Sequence, residues 1–255
     1  MTWNRSAEGM SIVIPTYNER ENVPELLSEI RALQNGLMRP LELVIVDDNS
    51  PDGTAAVAEQ LAKGLDVNLR ILTRNGRRSL GRAIADGLRL CSWDLVCVMD
   101  ADLSHPASLV PSLIEALDGV DGVIASRYAT GGRIASWPLS RRLVSLVATG
   151  LARGFLRLPY HDPLSGFFLV RRSSLHGIEI SGDGNKPLLE ILASAGPVVK
   201  EIPYEFRNRQ NGESKLDGQN IVDFIRLLGR LRVVSADRLS RGSPAEGRHP
   251  TDRNA

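Results

Sequence analysis

Short β-branched runs recur along the first hundred residues, each followed by a polar cluster and then by helically spaced apolar positions. Ser11 to Pro15 (S-I-V-I-P) and Leu41 to Val46 (L-E-L-V-I-V) read as strands one and two. Between them Val23, Leu26, Leu27, Ile30 and Leu33 repeat at helical spacing, which places a helix over Asn18 to Leu33. Thr54 to Ala62 reads as the next helix and Val67 to Leu72 as strand three. An Arg/Gly loop at Arg74 to Gly81 leads into a helix that runs through Leu90, and Leu95 to Met99 is strand four. This alternation predicts an α/β fold of the Rossmann-like kind, a mostly parallel sheet covered by helices, in which ligands bind at the carboxyl ends of the strands.

After Val123-Ile124 the pattern changes. From Arg127 to His161 there are six arginines and no Asp or Glu. Wound at about 100° per residue, Leu139 to Leu158 puts Leu143, Val144, Val147, Leu151, Phe155 and Leu158 on one face. Arg142, Arg153 and Arg157 lie on the opposite face. Such a helix packs its apolar face either on the core or on a membrane surface, with its arginines near anionic head groups. Leu164 to Val170 reads as a further strand, Ile202 to Phe206 as an edge strand and Gln219 to Val234 as a last amphipathic helix. The expected layout is an extension over 1–10, one catalytic domain over 11–234, and a polar tail over 235–255 with a disordered composition.

Charge narrows the partners. Thirty-one Lys+Arg against 30 Asp+Glu give a net charge of +1, so a globally basic nucleic-acid binder is excluded. Two cysteines, Cys91 and Cys97, form no disulfide framework or zinc site and point to a reducing, cytoplasmic setting. The ten-residue apolar run Leu143 to Ala152 is too short to span a bilayer.

Three polar clusters fall at strand ends: Thr16 to Glu19, Asp47-Asp48, and Asp100-Ala101-Asp102. The last is a pair of hard-oxygen donors suited to Mg²⁺ or Mn²⁺ beside substrate phosphates, although a lone D-x-D is more often a pair of helix-cap or loop aspartates. Asp47-Asp48 suits a ribose or base edge, or Asx-turn chemistry into Asn49-Ser50-Pro51. Tyr17 can stack on a base or simply pack. His105, ahead of Pro106, reads as a turn or helix-start residue rather than a base. Strand one carries no G-x-G-x-x-G and the chain no Walker loop, so neither a dinucleotide fingerprint nor a P-loop is present.

P-T-Y-N-E (Pro15 to Glu19), V-D-D-N-S-P-D-G-T (Val46 to Thr54), D-A-D-L-S-H-P (Asp100 to Pro106), S-R-Y (Ser126 to Tyr128) and D-P-L-S-G-F (Asp162 to Phe167) together resemble the family 2 glycosyltransferases of the GT-A fold. G-G-x-I-x-x-W (Gly131 to Trp137) and G-E-S-K-L (Gly212 to Leu216) narrow the resemblance to the dolichol-phosphate mannose synthases. It implies inverting transfer of mannose from GDP-mannose to a polyprenyl phosphate, at a membrane surface, with Mg²⁺ or Mn²⁺. By that likeness Pro15, Tyr17, Glu19, Val46 and Asp48 hold the guanosine. Asp100, Ala101 and Asp102 lie along ribose, diphosphate and metal, with Ser104 where some relatives carry a Gln ligand. Arg127, Arg209 and Lys215 meet phosphates or sugar, and Arg141 and Ser145 receive the acceptor phosphate.

The chain departs from the subgroup's pattern at Arg77, where a Lys is usual, at Ser79, where a Gly is usual, and at Leu146, where an Arg is common. It resembles the compact, catalytic-domain type, whose membrane-anchoring partner, if any, is unknown. A different donor sugar such as UDP-glucose, and an inactive nucleotide-binding subunit at a membrane, are the alternatives. Joint presence of Asp100, Asp102, Arg127, Arg209 and Lys215 argues against the inactive subunit.

Overall fold

A computed structural model describes residues 9–135, 137–176, 178, 180–182, 185–207 and 218–240. Its first half is the expected alternation: β1 (Met10–Thr16), α1 (Val23–Gly36), β2 (Leu41–Asp47), α2 (Thr54–Leu65), β3 (Leu69–Thr73), α3 (Leu80–Leu90) and β4 (Leu95–Val98). Then follow α4 (Val110–Ala116), β5 (Gly122–Ser126), β6 (Arg133–Ile134), α5 (Leu139–Leu156), β7 (Phe168–Arg171), α6 (Pro187–Ser194), β8 (Val199–Pro203), β9 (Glu205–Phe206) and α7 (Gly218–Ser240). Seven strands form one sheet in the order β3-β2-β1-β4-β7-β5-β8. Every pairing is parallel except those of β7, which runs antiparallel to both β4 and β5.

Helices on both faces explain the continuous apolar strands, because a parallel sheet buried on both sides has no polar face to show. Ile12, Ile14, Leu43 and Ile45 enter one core, with α1 and α4 above it. Val13, Val44, Val46, Val96 and Val98 enter the other, against α3 and α6. Gly87 lets α3 lie directly on the sheet, since a side chain there would collide with Val13 Cγ1.

The second half revises the bounds of two strands and the last helix, and settles which way the apolar face of α5 points. The strand placed at Leu164 to Val170 begins only at Phe168, because 162–166 forms a loop that the site uses. The edge strand at Ile202 to Phe206 divides at Tyr204, whose N–H reaches Ser126 O (3.2 Å) while its carbonyl accepts from Arg133 N (2.9 Å). Val199–Pro203 then closes the main sheet, and Glu205–Phe206 pairs with Arg133–Ile134 in a separate two-stranded ribbon. In α5 the apolar face points away from the core: Leu143, Val144, Val147, Leu151 and Phe155 are exposed, and Thr149, Ala152 and Leu156 are buried, with Ala152 and Leu156 packed in a cluster with α6 and α7. The last helix runs on past Val234 to Ser240. Among the described residues no helix is long and apolar enough to cross a membrane.

One buried acid sits inside this core. Glu42, 2% exposed, accepts hydrogen bonds from Ser11 Oγ (2.7 Å), Ser92 N (2.8 Å) and Ser92 Oγ (2.8 Å), and Arg70 Nε lies 3.4 Å away. Burial raises its pKa, but these bonds and the Arg70 charge outweigh burial and hold the carboxyl below its ordinary value of 4.5. A depressed carboxylate contributes stability above its unfolded pKa and loses it as pH falls through the folded one. Glu42→Gln is therefore expected to cost about 2 kcal/mol near neutrality. The gap in melting temperature from the wild type narrows on acidification below the carboxylate's ordinary value. A scan of melting temperature against pH checks both.

Candidate active site

The site lies at the carboxyl ends of β1, β2 and β4, where three residues adopt left-handed backbone: Asn18 (φ 57°), Asn49 (φ 54°) and Leu103 (φ 63°). Asparagine tolerates this region, whereas a leucine there is strained. Leu103 separates Asp102 from Ser104, so the strain sits within the D-x-D turn itself.

Asp48, predicted to hold the nucleoside, is gripped by the Arg74 guanidinium and by Ser79 N (3.0 Å). Arg74 also binds Asp86 (2.9 Å). Asp47 proves to be the turn cap: it is buried and accepts from Thr16 Oγ1 (2.9 Å), Ser50 N (2.7 Å) and Ser50 Oγ (2.5 Å). Glu19 N donates to Thr54 Oγ1 (3.0 Å), which ties the first strand end to α2. Val46 is fully buried in the core beneath Asp47, and Pro15 pairs with it across the sheet. Arg78 lies 4.1 Å over the Tyr17 ring and covers one of its faces. Ser79, the departure from glycine, caps α3 by accepting from Arg82 N (3.3 Å) and donates to Gly182 O (2.8 Å).

At β4, Ala101 and Asp102 are buried, while the Asp100 side chain keeps 32% of its surface open. Asp102 Oδ1 accepts from Ser104 N (3.1 Å) and Ser104 Oγ (2.5 Å), so Ser104 orients Asp102. His105 follows as expected just ahead of a helical turn, yet its side chain is 1% exposed. Its Nε2 stands 3.3 Å from Asp100 Oδ2 and its Nδ1 3.0 Å from the Tyr204 hydroxyl. Burial pushes that phenol well above its ordinary pKa. A Cβ on Gly166 would lie 3.2 and 3.5 Å from the two Asp100 oxygens, so glycine leaves an open cradle in front of this carboxylate. The Asp100 oxygens at the cradle are hard donors, which fit Mg²⁺ or Mn²⁺, and His105 Nε2 also borders it, 3.2 Å from the same point. Among the described residues no third His, Cys, Asp or Glu joins them, so diphosphate or water oxygens would complete such a shell.

Beyond β5, Asp162 reaches back to Arg127. Its carboxylate accepts from Arg127 N (2.9 Å), Nε (2.8 Å) and Nη2 (2.8 Å). Asp162 is fully buried and the Arg127 side chain 10% exposed. Burial disfavours the guanidinium charge, but Asp162 outweighs it and raises the pKa. The fork engages two of arginine's five donors and leaves the others for a second anion. Tyr128 donates to Ser145 Oγ (2.7 Å), and Arg141 stacks 4.2 Å over Trp137. These contacts bring Arg127, Arg141 and Ser145 together across the gap between β5 and α5. Asp162, Tyr128 and Trp137 lie in the motifs that carried the family resemblance, and the chain order gave no sign that they clasp these arginines. Arg209 and Lys215 lie outside the described residues.

Residues 11–178 match the family described as Glycosyl transferase family 2. A dolichol-phosphate mannosyltransferase of Pyrococcus furiosus is 41% identical over 228 residues, covering 87% of this chain and 63% of that protein. The chain thus spans less than two thirds of that relative. The dolichol-phosphate mannosyltransferase of Saccharomyces cerevisiae is 34% identical over 234 residues, covering 88% of this chain and 86% of the relative. Among solved structures, a mannosyltransferase of Pyrobaculum calidifontis in complex with GDP-Man and Mn²⁺ superposes with a TM-score of 0.61 at 19% identity, over 88% of this chain and 65% of that one. That likeness concerns the fold, which is GT-A. With the family match covering most of the sheet and every strand end described above, this chain belongs to glycosyl transferase family 2 and is a glycosyltransferase.

Proposed function

We propose that this protein transfers mannose from GDP-mannose to a polyprenyl phosphate with inversion at the anomeric carbon, at the cytoplasmic face of a membrane. One observation carries the reading: a carboxylate pair at β4, Asp100 partly open and Asp102 buried, shares one sheet edge with a clasped arginine group beyond β5, so the site can hold two phosphorylated substrates at once. The names of the relatives support the same donor and acceptor.

Asp100 and Asp102 would hold a divalent ion, which when bound offsets the charge of the leaving diphosphate. Ser104 holds Asp102 in place, and His105 Nε2 stands 3.3 Å from Asp100 Oδ2. Pro15, Tyr17, Glu19 and Asp48 line the nucleoside side, and Val46 supports them from the core beneath rather than touching the nucleoside with its side chain. The acceptor is a phosphate monoester whose second pKa is about 6, so at neutral pH it is largely a dianion and needs no general base. Its oxygen attacks the anomeric carbon from the face opposite the diphosphate. The new C–O bond forms as the bond to the diphosphate breaks, and GDP departs with that electron pair. Arg127, Arg141 and Ser145 orient the attacking phosphate, and arginine's planar fork suits that task.

Thermal-shift titration with GDP, GDP-mannose, UDP and UDP-glucose, each with and without Mn²⁺, tests the donor, because a ligand bound only by the native state raises the melting point. Metal-dependent stabilisation by the guanosine ligands alone is expected. Stabilisation by the uridine ligands would replace the sugar and keep the rest.

The exposed face of α5 supports membrane contact. Leu139, Leu143, Val147 and Leu151 are each more than half exposed, as are Ile221 and Ile225 on neighbouring α7. A lipid acceptor must be met where its phosphate leaves the bilayer, and an amphipathic helix pair is a surface on which to meet it. Leu143→Asp/Leu151→Asp is expected to abolish most flotation with liposomes while leaving GDP-induced stabilisation intact. Equal flotation of variant and wild type would contradict membrane contact through α5.

A further inference from the structure

A cavity of about 390 Å³ opens between the β3–α3 loop, the turn at Gly182 and α7. Five arginines line it: Arg77 and Arg78 from the loop, Arg82 from the first turn of α3, and Arg226 and Arg230 from α7. Among the described residues Asp223 is the one carboxylate in the lining, and it lies 3.3 Å from Arg226. Arg230 pairs with buried Glu190 (3.2 Å), and Arg82 Nε donates to Ser181 O (3.3 Å). These contacts fix three of the guanidinium groups, and the described lining carries five arginines against one carboxylate.

Its rim supplies the second observation. Ile221, Val222 and Ile225 stand exposed on α7, at 56%, 42% and 59%, and at about 100° per residue they occupy the face adjoining Arg226 and Arg230. A strongly basic hollow bordered by exposed aliphatic side chains matches a molecule with a phosphate at one end and hydrocarbon at the other. Arginine clusters bind phosphate oxygens in a directed way, and aliphatic residues at such a rim enter the acyl boundary.

We propose that this cavity binds the phosphate headgroup of an anionic phospholipid and so anchors and orients the protein on the bilayer. Arg127, Arg141 and Ser145, which take the reacting lipid, are not among the residues that line it, while Arg78 and Ser79 on its loop wall touch Tyr17 and Asp48 on the nucleoside side. The proposal rests on the membrane reading given above and adds a lipid preference to it. With the pocket engaged, α7 and α5 lie side by side on the bilayer, and the Arg127 group faces the acceptor's phosphate.

The test compares flotation on vesicles of phosphatidylcholine alone with flotation on vesicles also containing phosphatidylglycerol, for the wild type and for Arg82→Gln/Arg226→Gln. Neither substituted residue belongs to the transfer site. The wild type is expected to favour the anionic vesicles, and loss of two arginines to lower that binding on the order of tenfold or more. Binding to neutral vesicles, and transfer to detergent-solubilised polyprenyl phosphate, stay unchanged. Arg82→Lys/Arg226→Lys, which keeps the charge, restores part of the preference and separates anion binding from misfolding. An undiminished preference in the Gln variant overturns the site. Failure of the wild type to float on any vesicle overturns the membrane reading and this proposal with it. Stabilisation of the wild type by inorganic phosphate, lost in the Gln variant and accompanied by no vesicle preference, replaces the lipid with a soluble anion.

Discussion

Asp102→Asn lowers the rate of mannosyl transfer by at least about 10³-fold, with little loss of fold. Removal of a single preorganised charge-stabilising group typically costs 10²–10³ in kcat, and under the proposed function the divalent ion would lose half of its protein carboxylates as well. Asn keeps the volume and one oxygen acceptor, so the turn through strained Leu103 still has a partner for Ser104 N and Oγ. The melting temperature of the unliganded variant is therefore expected to stay within a few degrees of the wild type. The Mn²⁺-dependent part of the stabilisation by GDP disappears. Single-turnover rates with GDP-mannose, together with melting curves with and without Mn²⁺, check the two halves separately. A variant that transfers at near wild-type rate would remove Asp102 from the chemistry.

Arg127→Ala has the second largest effect, because it strikes stability and chemistry together. It leaves Asp162, which is fully buried, without its charge partner. Breaking a buried pair from one side costs about 3–5 kcal/mol, which for a chain of this size lowers the melting temperature on the order of 10 °C. Arg127→Lys separates the contributions. Lysine restores a positive charge near Asp162 but cannot supply a fork to the carboxylate while offering further donors to the acceptor phosphate. The Lys variant is expected to regain much of the stability. It remains about 10²-fold slow in kcat/KM for the lipid, while stabilisation by GDP-mannose is unchanged. If the Lys variant is as fast as the wild type, Arg127 is a structural partner of Asp162 and nothing more.

What the sequence reveals follows from where each side chain is anchored. The strands β1, β2 and β4 are buried on both faces, so their apolar runs stand out against the helical spacing of α1 and the Ser79-capped start of α3. The antiparallel strand β7 sits between β4 and β5 in space but comes long after both in the chain, and no local pattern announces such an insertion. Helix α6 is apolar nearly all round, with even Glu190 buried, so P-L-L-E-I-L-A-S has no polar face to mark its period.

The site divides along the same line. Asp100 and Asp102 are legible because a strand delivers them together. The Asp162 clasp on Arg127 joins residues 35 positions apart. The chain from Tyr204 through His105 to Asp100 spans 99 positions at its first link. Both need the folded sheet to bring them into contact. The outward apolar face of α5 was readable as a face, but its direction depends on α7 occupying the other side.

The most direct test of the account is incubation of the purified chain with GDP-[¹⁴C]mannose, polyprenyl phosphate and Mn²⁺, followed by extraction and anomeric analysis of the lipid. The account predicts an organic-soluble β-linked mannosyl phosphate formed in step with release of GDP. A preparation that binds GDP with Mn²⁺ yet yields no mannosylated lipid, or an α-linked one, would contradict it.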